Sequence, residues 1–118
     1  MHELDTIRRE AEEAAERAWF VQTIEDRSRS DNTLSLRLVI HPGLFIQIFF
    51  GERSGSLYMA LVDGKQRIFG VDREMGQWHA HPSHATEKHE ALTDEYHQRP
   101  IWRFLRAVED LILDHDLI

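Results

Sequence analysis

The 118-residue chain contains no cysteine. That excludes disulfides, thiolate nucleophiles and thiolate-based structural zinc sites, and it fits a reducing, cytoplasmic setting. No apolar run approaches the ~20 residues that a membrane-spanning helix needs. The opening residues Met1-His2-Glu3-Leu4-Asp5 are acidic and lack a basic stretch followed by an apolar one. Neither a signal peptide nor a transit peptide is therefore expected. Positive charge is also scarce. Fourteen Lys and Arg against 21 Asp and Glu leave a net charge of −7, which argues against a protein that wraps nucleic acid by bulk attraction. No repeat, low-complexity tract or linker divides the chain, and none of the turn glycines (Gly51, Gly55, Gly64, Gly76) sits in a phosphate-cradling motif. The length suits a single domain over residues 1–118 that buries a core without staples.

What is present is unevenly distributed. Residues 27–73 carry seven basic and four acidic side chains, so this middle is +3 and the two ends together are −10. A basic middle could draw an anionic substrate, or it could be ordinary solvated surface. Over residues 3–18, Leu4, Ile7, Ala11, Ala14 or Ala15, and Ala18 recur at three- and four-residue spacing with charged residues between them. This predicts an amphipathic helix packed against a sheet. Residues 19–25 are rich in β-formers and predict a first strand, and the polar stretch 26–32 predicts a break. Residues 33–40 alternate, with Leu34, Leu36, Leu38 and Ile40 on one face, the mark of a half-buried antiparallel strand.

Residues 44–50 are apolar on both faces except for Gln47, residues 57–62 form another strand, and Asp63-Gly64 leads into a strand over 67–71. The connections are too short for parallel crossovers. Gly70 inside a strand predicts a bulge or a close backbone approach. Residues 83–99 lack an apolar stripe and predict a long loop. Pro100 suits the first turn of a helix whose stripe is Ile101, Phe104 or Leu105, Val108, and Leu111 or Ile112. The expected fold is α+β: a single domain in which an antiparallel meander sheet of about five strands is flanked by an N-terminal and a C-terminal helix.

The stretch richest in chemistry is Arg67-Ile68-Phe69-Gly70-Val71-Asp72 followed by Trp78-His79-Ala80-His81-Pro82. His79 and His81 are two residues apart, so on an extended backbone both imidazoles point the same way. Five of the eight histidines fall between positions 79 and 97. One chemistry for such a cluster is metal-independent cleavage of an RNA phosphodiester. One imidazole accepts the 2′-hydroxyl proton and the other protonates the leaving oxygen. Arg67 or Arg37 would stabilise the phosphorane-like charge, and Trp78 or Tyr58 would stack a base. A second chemistry is a divalent metal held by His79, His81 and either Asp72 or a third imidazole. Asp72 could also simply cap a turn, Arg67 could pair with Asp72 or Asp63, and Trp78 could be a core aromatic.

The runs at 44–50, 57–62 and 66–72 together with Trp78-His79-Ala80-His81-Pro82 resemble the TumE-type toxins of prokaryotic toxin–antitoxin modules, over roughly residues 19–113. The most specific part of the likeness is Arg67, Asp72 and the His79-x-His81 pair. The resemblance implies a growth-inhibiting toxin that acts on RNA and is neutralised by a helix-turn-helix antitoxin. The catalytic expectation is His79, His81, Arg67 and Asp72, with Arg37, Tyr58 and Trp78 on the substrate and no required metal. The alternatives are a non-catalytic protein-binding module and a metal-dependent hydrolase. An exposed edge strand would support a homodimer, and no membrane contact is expected.

Overall fold

The computed structural model describes residues 3–81, 90–91, 96 and 98–118. An N-terminal helix α1 (Glu3–Arg17) precedes six strands: β1 (Thr23–Arg29), β2 (Thr33–His41), β3 (Leu44–Gly51), β4 (Ser56–Asp63), β5 (Gln66–Glu74) and β6 (Gln77–His81). A two-residue strand β7 (Glu90–Ala91) and a closing helix α2 (Pro100–His115) follow. The strands pair antiparallel in sequence order, β1 to β7, as one meander. This is the expected α+β architecture with one strand more than anticipated, plus the short β7.

The alternation read in residues 33–40 is obeyed. Leu34, Leu36, Leu38 and Ile40 are buried with Ile46, Ile48, Leu57, Met59 and Leu61 from the neighbouring strands. Both helices cover this face. Leu4, Ile7, Ala11 and Ala14 of α1 and Ile101, Phe104, Leu105, Val108 and Ile112 of α2 join the same core. Phe69 and Phe104 stack with ring centroids 5.5 Å apart, tying β5 to α2.

The first strand lies further along than expected. Residues 19–22 are not strand, Phe20 turns into the core, and β1 runs through the polar residues to Arg29. An edge strand exposed on both faces needs no apolar alternation, so its sequence looks like a turn. The turn itself is compressed into residues 30–32, where Ser30 Oγ accepts from the backbone N–H of Asn32 (3.2 Å) and Thr33 (3.0 Å). Most of the loop expected over 83–99 lies outside the described residues. Within it, the Glu90–Ala91 backbone pairs with β6.

The start of α2 is capped by another helix. Arg99, at the N-cap position, makes no side-chain cap bond. Instead Glu10 Oε2 of α1 accepts from the backbone N–H of Ile101 at 2.7 Å and of Trp102 at 3.1 Å. Burial of the Glu10 carboxylate raises its pKa, and the two backbone donors together with nearby Arg99 oppose that shift. The two helices are thus joined end to side by a charge-assisted cap.

Candidate functional site on the open sheet face

The second face of the sheet is covered by neither helix. Register assigns its residues. Ser35, Phe49, Tyr58, Asp72 and His79 form one row across β2 to β6, and Arg37, Gln47, Ala60, Gly70 and His81 form the next. Asp72 and His79 are therefore direct cross-strand partners, and His81 lies opposite Gly70.

Arg67 reaches this face only because of a defect. Arg67 and Asp72 are an odd number of positions apart, so a regular strand would put them on opposite faces. The ladder instead pairs Leu61 with Phe69 and Val62 with Arg67, leaving Ile68 as an extra bulged residue. The bulge reverses the alternation and turns Arg67 to the side of Asp72. The irregularity expected at Gly70 is thus divided between two residues. The bulge is at Ile68, and the close approach is at Gly70. A Cβ at Gly70 would lie 3.2 Å from the Met59 carbonyl oxygen and 3.3 Å from Arg67 Cδ. The Arg67 side chain lies across the space that glycine leaves.

The polar groups form a directed chain. Arg67 Nη2 is 3.5 Å from His81 Nδ1, and His81 Nε2 is 2.7 Å from Asp72 Oδ2. A guanidinium can only donate, so Nδ1 of His81 accepts, and the ring proton on Nε2 is donated to Asp72. The other carboxylate oxygen, Oδ1, faces His79 Nδ1 at 4.0 Å. Asp72 thus sits between two imidazoles of different exposure. His81 is 4% exposed and Asp72 9%, whereas His79 keeps part of its ring open to solvent. Tyr58, opposite Asp72 in β4, donates its hydroxyl to Glu74. That hydrogen bond, more than the phenol's slight burial, raises the Tyr58 pKa.

Arg37 and Trp78 lie apart from this cluster. Arg37 shares the open face, but four strand spacings separate its row position from His81, about 19 Å at the usual strand separation. Its guanidinium lies 3.9 Å over the Phe45 ring. Its Nε is buried with no hydrogen-bond partner among the described residues. Trp78 points to the opposite, helix-covered face, 6% exposed, with Tyr96 at 5.7 Å and the Arg73 guanidinium at 5.4 Å from its ring. Adjacent strand residues point to opposite faces, so Trp78 and His79 cannot serve one pocket. The structure therefore joins Arg67, Asp72, His79, His81 and Tyr58, and leaves out Arg37 and Trp78. Glu74 and Gly70 belong with the cluster too. Gly70 carried a signal, as a glycine inside a strand, and Glu74 carried none.

Among the described residues, no group of three His, Asp or Glu side chains is placed to hold a metal ion. His84, His89 and His97, from which a third imidazole would have come, lie outside the described residues. Among the described residues, no helix is long and apolar enough to cross a membrane. Fold and cluster together define an α+β meander domain with an arginine–histidine–aspartate chain on its uncovered sheet face. Compared with known proteins, the chain matches no family model, no curated protein and no solved structure.

Proposed function

We propose that the chain is the toxin component of a TumE-type toxin–antitoxin module, cleaving RNA on the open sheet face and held inactive by a helix-turn-helix partner. The observation that supports this reading most is the convergence of Arg67, Asp72, His79 and His81, brought about by a strand bulge and a glycine gap. In the proposed reaction His79, the accessible imidazole, takes the proton from a ribose 2′-hydroxyl. The 2′-oxygen attacks phosphorus, a 2′,3′-cyclic phosphate forms, and the 5′-oxygen leaves with a proton from water. Arg67 faces the charge that develops on the phosphoryl oxygens. Asp72 orients the His79 ring. His81 acts through Asp72 as a positioning residue, because both of its nitrogens face protein groups.

The test is incubation of the purified chain with end-labelled RNA, alongside His79→Ala and Arg67→Ala variants shown to be folded by circular dichroism. The expected result is fragments ending in cyclic phosphate, insensitive to EDTA, with cleavage by His79→Ala down about 100-fold or more. Equal cleavage by the wild type and His79→Ala would overturn the assignment.

A second reading, a non-catalytic sheet that binds a protein partner, is favoured by the burial of His81 and Asp72. It predicts no cleavage, no growth arrest on expression, and a partner complex that survives His79→Ala.

A further inference from the structure

The helix layer, on the other side of the molecule from the histidines, carries an arrangement that the open-face reading does not use. Trp102, half-buried on α2, has three guanidinium groups over its indole. Arg99, Arg106 and Arg103 have their Cζ atoms at 5.0, 5.3 and 5.9 Å from the ring centroid. Among the described residues none of the three has a carboxylate within ion-pairing distance, and neither does nearby Arg17 at the end of α1.

Two hollows flank the indole. One, about 170 Å³, lies between the α1 end and α2, with Arg17, Trp19, Trp102, Arg106 and Glu109 in its wall. The other, about 250 Å³, is lined by Tyr96, Trp102, Arg103, Arg106 and Asp110. Trp19 is 60% exposed, and its Nε1–H donates to Glu109 at 2.6 Å. Arg99 is held at φ 52° and ψ 56°, a left-handed conformation that disfavours a residue with a Cβ.

We propose that Trp102 with Arg99, Arg103 and Arg106 forms a nucleotide-binding surface, a base stacking on the indole and its phosphate paired with the guanidinium groups. An acidic peptide would use the arginines alone. A nucleotide unit also uses the indole, because it joins an anion that planar guanidinium groups bind in bidentate fashion to a flat π surface that inserts between the ring and the guanidinium groups over it. The unit can be a free mononucleotide or part of a single strand. The surface is separate from the sheet-face site and is read by binding alone.

The test is fluorescence anisotropy with the full chain and a labelled ten-residue oligothymidylate, which has no 2′-hydroxyl to be cut. Thymidine monophosphate and polyglutamate serve as competitors. The oligothymidylate is expected to bind at low salt, and the mononucleotide to compete more weakly; a mononucleotide that competes as well as the strand per nucleotide would identify the free ligand as the occupant. Trp102→Leu should weaken binding about tenfold or more. Arg103→Gln and Arg106→Gln should each reduce the slope of log affinity against log salt by about 0.7. Asp110→Asn should tighten binding. Arg99→Gly suits the left-handed backbone, so it removes one guanidinium without strain and decides the matter should Trp102→Leu fail to fold. Absence of binding at low salt overturns the proposal. So does polyglutamate competing as well as the oligonucleotide, or an Arg99→Gly and Trp102→Leu pair that folds and binds like wild type.

Discussion

Replacing Glu10 by alanine tests the joint between the two helices. The wild-type carboxylate satisfies two of the backbone donors at the start of α2, and no side chain of α2 itself does so. Loss of a side-chain cap costs about 0.5–2 kcal/mol, and hydrogen bonds to a charged acceptor contribute toward the upper end of that range. Desolvation of the carboxylate, the main cause of its raised pKa, offsets part of the gain. A net loss of about 1.5 kcal/mol is the reasoned value. For a chain of 118 residues, unfolding entropy converts this to a fall in Tm of about 6 °C. Glu10→Gln keeps an acceptor oxygen and sheds the buried charge, so its loss should be less than half as large.

The pH dependence has a definite sign. The folded-state pKa of Glu10 is raised, so the protonated form is favoured by folding. Its contribution is full below the ordinary glutamate value of 4.5 and declines as pH rises through the higher folded-state value. Wild type should therefore lose stability relative to Glu10→Gln on passing upward through that window. Thermal melts followed by far-ultraviolet circular dichroism at a series of pH values rising from about 4 read both effects. A Glu10→Ala melt within a degree of wild type, or a Gln variant as damaged as the Ala one, would refute the reasoning.

Two further outcomes follow from the same kind of geometry. Asp72→Ala leaves the Nε2–H of buried His81 without the acceptor now 2.7 Å away, and urea unfolding should show a loss of about 2 kcal/mol; a change below about 0.5 kcal/mol would mean that the pair is not structural. Met75 and Gly76 both have positive φ, 52° and 77°, at the β5–β6 turn, and Met75 is 94% exposed. Met75→Asn creates the Asn-Gly pair that such a turn prefers, and should raise stability by about 0.5–1 kcal/mol in the same assay.

Much of the fold is legible because burial imposes a period. The Leu34-Leu36-Leu38-Ile40 alternation and the stripe from Ile101 to Ile112 each state which side meets the core, and short turns then force a meander. Where burial is absent the period vanishes, and β1 is read as a turn for that reason. The site is less legible. The spacing of His79 and His81 determines that they share a face, and the identity of Trp78 as their neighbour determines that it points away from them. Gly70 inside a strand signals an irregularity nearby, but no local pattern announces that Ile68 bulges, that Arg67 therefore crosses to the side of Asp72, or that its side chain fills the gap at Gly70. Those depend on how β4 pairs with β5. The cap from Glu10 to α2 joins residues about 90 positions apart, and the hollow between Arg17 and Trp102 needs the end of α1 against α2. Sequence determines which residues can share a face. Strand pairing and the packing of the helices decide which of them meet, because contacts between distant segments carry no period along the chain.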